Sequence, residues 1–194
     1  MNEIKKTVEE LKKKYSKVIC DSQEKAREMA EDAAKSLLPC LSAFPVRMGE
    51  TLRSLGFEVW VTEFTDRSVS GALALNARTK HPMVIGVNKE DSRGHQCFTL
   101  AHELAHYIFD IDDDKKKVIR VNYNTSINND DNLVEYRANK FAACLLMPEK
   151  YFKTQFSIIK RKYSDSDIQI EALALSFNVS KKAVILRMEE LGIE

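Results

Sequence analysis

"FTLAHELAHYIFD", residues 98–110, is the stretch on which the reading of this chain turns. It carries two of the four histidines, His102 and His106, with Glu103 between them. Ala101, Leu104, Ala105 and Ile108 recur at helical spacing, and no Pro or Gly interrupts them, so the segment predicts an amphipathic helix. Positions i and i+4 of a helix share a face, so His102 and His106 can hold one metal ion from the same side. Glu103 lies about 100° further around the helix. It is offset from the ligand positions, yet within reach of a water on the metal. Zinc-dependent hydrolysis needs this layout: two imidazoles and a third protein ligand hold the ion, a fourth position stays open, and a carboxylate takes the water's proton. The plainer alternative is an ordinary helix carrying two surface histidines.

A third ligand has to come from elsewhere. His95 would sit about two turns before His102, roughly 10 Å along the axis, too far to share the ion. Glu135 opens a second strong helical pattern, "EYRANKFAACLLMP" (135–148), in which Glu135, Asn139 and Ala142 share a face. Ala138 and Ala142 would let this helix approach the first closely. From spacing alone Glu135 is either the third ligand or a first-turn acid favoured by the helix dipole.

Around these helices the pattern is α+β. "FEVWVTEF" (57–64), "GALALNA" (71–77) and "MVIGVN" (83–88) predict three short strands, suited to a small meander sheet. Residues 111–130 predict a long polar surface loop, with a short strand in "VIRVNYN" (118–124). Ile4, Val8, Leu11, Tyr15 and Val18 form a narrow stripe on a leader helix over 3–19, which docks on the main body or on another chain. A second helix follows through "EKAREMAEDAAKSLL" (24–38). The tail predicts two helices around Asn178-Val179-Ser180, with Ser180 as N-cap. The expected organisation is a helical N-terminal extension (1–40), a zincin-like core (41–163) and a C-terminal helix-turn-helix-like pair packed on it (164–194).

Composition bounds the function. Thirty Lys and Arg against 29 Asp and Glu give a net charge of +1, which argues against a chain built mainly to coat nucleic acid or membrane. The cysteines, Cys20, Cys40, Cys97 and Cys144, are scattered, as in reduced cytosolic proteins rather than disulfide frameworks. The first twenty residues lack the apolar region of a signal peptide, and no apolar run approaches the ~20 residues that span a bilayer. These features predict a cytoplasmic protein without a membrane partner.

The segment "VIGVN…CFTLAHELAHYIF…VEYRANKFAACLLMP" resembles the ImmA/IrrE family of HEXXH metallopeptidases. The likeness covers the strand ending in Asn88, the F-T-x-A-H-E-L-x-H helix and the E-x-x-A-N-x-F-A-A-x-L-L-M-P helix. It continues weakly from about Pro45 through the ending "LALSFNVSKKAVILRMEELG"; the first forty residues fall outside it. The resemblance implies a gluzincin-like site, with His102, His106 and Glu135 holding one Zn²⁺ per chain and Glu103 as general base. Asn139, one turn after Glu135, would then orient one of the histidines through its amide. Cys97 stands where the family often has Arg, which bears on local packing rather than on the metal.

For the oxyanion, Tyr107, Tyr136 and His81 are the candidates; spacing does not choose among them, and an ordinary packing role is the stronger reading for each of the two tyrosines. The strand "MVIGVN", with Val87 and Asn88, is expected at a sheet edge, where an extended substrate segment would pair with it. The resemblance further implies a bacterial anti-repressor, associated with regulation and mobile genetic elements, that cleaves a helix-turn-helix transcriptional regulator. Two alternatives stand beside it: a metal-bound, non-proteolytic partner of a repressor (a toxin-antitoxin component or a sensor), and a DNA-binding regulator using Lys181, Lys182 and Arg187 on the tail.

Overall fold

The structure is a computed structural model that describes residues 3–41, 43–75, 83–111, 118–122 and 129–193. Its elements alternate as the periodicities predict. Helices α1 (Glu3–Tyr15), α2 (Gln23–Leu37) and α3 (Met48–Leu55) lead into strands β1 (Glu58–Thr62), β2 (Val69–Leu75) and β3 (Met83–Asn88). Helix α4 (Arg93–Phe109), strand β4 (Val118–Asn122) and helices α5 (Asn129–Leu146), α6 (Glu149–Lys162), α7 (Ser166–Phe177) and α8 (Lys181–Glu190) complete the chain. The fold is α+β, as expected.

The sheet departs from the expectation in two ways. Among the described residues it has four strands, in the order β1-β3-β2-β4, the fourth being the strand foreseen within the polar loop. It is also not a meander: β1 and β3 pair in parallel, while β2 pairs antiparallel with β3 and with β4. Strand β3 is therefore interior. Its burial follows, since five consecutive residues from Val84 to Asn88 are buried, the run expected of a strand covered on both faces rather than a half-exposed edge. The reading of Val87 and Asn88 as a substrate-pairing edge is corrected on this ground. Both sides of β3 already hold a strand, with Val87 opposite Val61 on one side and Gly71 on the other.

Helix α4 lies against β2 and β3. Its start is set by Ser92, whose hydroxyl accepts from the His95 amide at 3.2 Å, a standard N-cap. Gly71 lets α4 come this close to the sheet. A Cβ at that position would collide with Thr99 Cγ2 and stand 3.0 Å from Glu103 Oε1.

The helical layer beyond α4 is closed by α5, α2 and α1. Four alanines, Ala26, Ala30, Ala33 and Ala34, lie on the buried face of α2 beside Met29 and Leu37, and α5, with Ala138, Phe141 and Ala142 buried, packs on this helix. Ile4, Val8, Leu11 and Tyr15 are all buried, and α1 packs on α4, so the leader helix docks on its own chain. At the tail, Asn178 takes the left-handed conformation (φ 52°) that ends α7, and Ser180 caps α8 by accepting from the Ala183 amide.

Candidate metal centre

Helix α4 brings His102 and His106 together as the i, i+4 spacing requires, with ring centroids 4.7 Å apart and Nε2 atoms 2.9 Å apart. Helix α5 supplies Glu135, whose Oε2 lies 3.1 Å from His102 Nε2 and whose Oε1 lies 3.4 Å from His106 Nε2. One ligand atom from each of the three residues falls within 4.8 Å of the others, a group able to hold a metal ion. Because α5 starts at Asn129, Glu135 sits nearly two turns in, beyond the reach of the helix dipole's end effect. The first-turn alternative for this acid therefore falls away.

The outer nitrogens are held as firmly. His102 Nδ1 lies 2.9 Å from Asn139 Oδ1, and His106 Nδ1 lies 2.8 Å from Asp110 Oδ2. In the neutral rings each Nδ1–H donates to its oxygen, which leaves both Nε2 lone pairs facing Glu135. Asp110 is held in turn by the guanidinium of Arg137, a buried side chain that also stacks over the Phe109 ring. Sequence reasoning foresaw Asn139 but missed Asp110 and Arg137. The signal for Asp110 was present, four residues after His106; that for Arg137 was not, because its partner lies 27 residues away.

His102, Glu103 and His106 are buried, while the Glu135 side chain is 43% exposed, so the group opens to solvent on the α5 side. Neither carboxylate oxygen of Glu103 has a hydrogen-bond partner among the described residues. Burial pushes its pKa up to about 8, with Glu135 adding to the rise and His106 opposing it. For His106, burial alone would lower the pKa, but the hydrogen bonds to Asp110 and Glu135 outweigh it and carry it to about 9. Burial holds His102 below its ordinary value despite the pull of Glu135. Burial would raise Glu135, but its hydrogen bonds to both histidines hold it far below the carboxylate range.

This is a site whose charges are arranged for a cation. Two imidazole nitrogens and one carboxylate match the donor set of a three-ligand zinc centre with an open position. An unpartnered buried carboxyl is costly, and a water on such a cation would give Glu103 the partner it lacks.

Of the other sequence candidates, Tyr107 is buried edge-on against Phe57 at 4.9 Å, with Lys12 Nζ 3.9 Å above its ring. These contacts give it the packing role. Tyr136 is half-buried on α5 next to Glu135, and His81 lies outside the described residues. Cys97 is buried against the Val46 carbonyl, and burial pushes its thiol to about 11. On the tail, Arg187 is buried and bonds to the Met147 carbonyl and Glu190, and Lys181 pairs with Glu171 at 2.9 Å. Two of the three cations that a DNA-binding reading would use are thus engaged within the chain. Among the described residues no helix is long and apolar enough to cross a membrane.

The model of one protein family, Peptidase_M78, the IrrE N-terminal-like domain, matches residues 54–189. No curated protein matches the chain.

Proposed function

Because the chain belongs to the Peptidase_M78 family of metallopeptidases, we propose that it is a cytoplasmic, zinc-dependent, site-specific endopeptidase, an anti-repressor whose substrate is a helix-turn-helix transcriptional regulator. The observation that carries the catalytic part is the unpartnered, buried Glu103 carboxyl on the helix that holds His102 and His106. Zn²⁺ in this donor set would lower the pKa of a bound water to about 7 and polarise a scissile carbonyl.

The chain's own residues do the rest. Asn139 and Asp110 fix the two imidazoles so that both Nε2 atoms face Glu135. With the ion bound, Glu103 would be the group that takes a proton from the attacking water and returns it to the leaving amine.

A polypeptide substrate is supported by the sheet. With β3 interior, the edges of the sheet among the described residues are β1 and β4. Strand β4 is the neighbour of β2, over which Glu103 lies. An extended segment added to β4 would run along that side of the site. The repressor as target rests on the resemblance of the HELAH and Glu135 helices to the ImmA/IrrE family.

Glu103→Gln tests the reading. It should retain the metal and lower cleavage of a cognate repressor about 10²–10⁴-fold. A variant that relieves repression as well as wild type does would instead favour a metal-bound partner that acts by binding alone.

A further inference from the structure

A cavity of about 470 Å³ lies between residues 43–53 and the N-terminal half of α4, and none of the metal-centre residues lines it. Much of one wall precedes the family-matched residues 54–189. Arg47, Arg53 and Arg93 all face this space, and Phe44 and Leu100 give it an apolar side. Glu50 is the one acid in the lining, and it is already paired with Arg47 at 3.3 Å. Among the described residues neither Arg53 nor Arg93 has an acidic partner. The Arg53 guanidinium folds over Gly49, where a Cβ would stand 3.4 Å from Nη1.

Two uncommitted guanidinium groups at one cavity are notable in a chain whose net charge is only +1. They bring positive charge to one side of an open groove whose other side, Phe44 and Leu100, is apolar. Guanidinium forks match phosphate oxygens bidentately, and a pair of them suits a doubly charged phosphate better than a single carboxylate. The volume is that of a small-molecule pocket, typically about 300–1,000 Å³. The first turn of α3 has no side-chain cap and opens onto the same space, so its amides add to the attraction.

We propose that this cavity binds a small phosphorylated ligand, with the phosphate between Arg53 and Arg93 and the organic part against Phe44. The assignment does not depend on the metal centre being catalytic.

Calorimetric titration of the metal-loaded full chain with ADP and with pyrophosphate tests it, in wild type and in Arg53→Ala/Arg93→Ala. Both arginines are exposed, so the double variant should keep its thermal melt and metal content. Wild type should bind, and the double variant should bind at least about a hundredfold more weakly. Equal affinity for the two probes places recognition in the phosphates; tighter binding of ADP adds the Phe44 wall. Failure of wild type to bind either probe, or undiminished binding by the double variant, would overturn the proposal. The second result would move the phosphate to another site, such as the metal.

Discussion

At the scale of single residues, the centre depends on side chains outside the candidate ligand set. Asp110 holds His106 through Nδ1 and is itself held by Arg137. Replacing it by Asn keeps the shape but removes the charge that favours a donating Nδ1–H and a basic Nε2. Asp110→Asn should weaken zinc affinity about 10–100-fold in a competition titration, the usual loss when such a supporting carboxylate goes. Unchanged affinity would show that the ring is oriented by packing alone. Gly71 acts differently. It touches no metal ligand, but a Cβ there would press on Thr99 and stand 3.0 Å from Glu103 Oε1. Gly71→Ala should therefore leave zinc content near wild type and lower kcat about 10–100-fold, because misplacing a catalytic group by about an ångström costs that much. Loss of the metal instead would mean that β2 supports the whole helix rather than the carboxylate.

At the scale of elements, the helices were legible in the sequence and the sheet was only partly so. Helical order is local, so the stripe Ala101, Leu104, Ala105, Ile108 and the cap at Ser180 could be read directly. Strand pairing joins distant residues. The parallel match of β1 with β3, skipping β2, leaves no local trace. One clue was available: "MVIGVN" lacks alternation, and an unbroken apolar run marks a strand buried on both faces. The docking of α1 was likewise open, because its stripe fits an intramolecular or an intermolecular partner equally well. The structure places it on α4 and ties its end to α2, where Lys14 Nζ and the Tyr15 hydroxyl both donate to Asp32. The hydrogen bond from Lys14, then that from Tyr15, hold the Asp32 carboxyl below its ordinary value. A depressed acid stabilises the fold above its unfolded pKa and loses that contribution as pH falls through its folded pKa. Because the Lys14 and Asp32 side chains are about half exposed, the pair contributes at most about 1 kcal/mol. Asp32→Asn should thus lower stability by about that amount at pH 7, in chemical denaturation. The gap from wild type should close in strong acid, as the pH falls through the lowered folded pKa of Asp32. A gap that persisted there would put the effect in shape rather than charge.

At the scale of the whole molecule, one buried cluster runs from Ile4 in α1 to Val184 in α8. Lys140 on α5 adds a polar tie, pairing with Glu31 of α2 and Glu190 of α8. The helix that supplies Glu135 is thereby fixed from both the leading and the trailing parts of the chain. Spacing placed His102, Glu103 and His106 on one helix without ambiguity. It could not place Glu135 against them, because that depends on how α5 packs on α4. The central claim is that this packing makes a three-ligand zinc centre. The most direct test is metal content by mass spectrometry on untagged protein, wild type beside Glu135→Ala. The account predicts about one zinc per chain in wild type, lost or sharply reduced in the variant. A wild-type chain that binds no metal even after zinc is added back, or a variant that keeps its full complement, would contradict it.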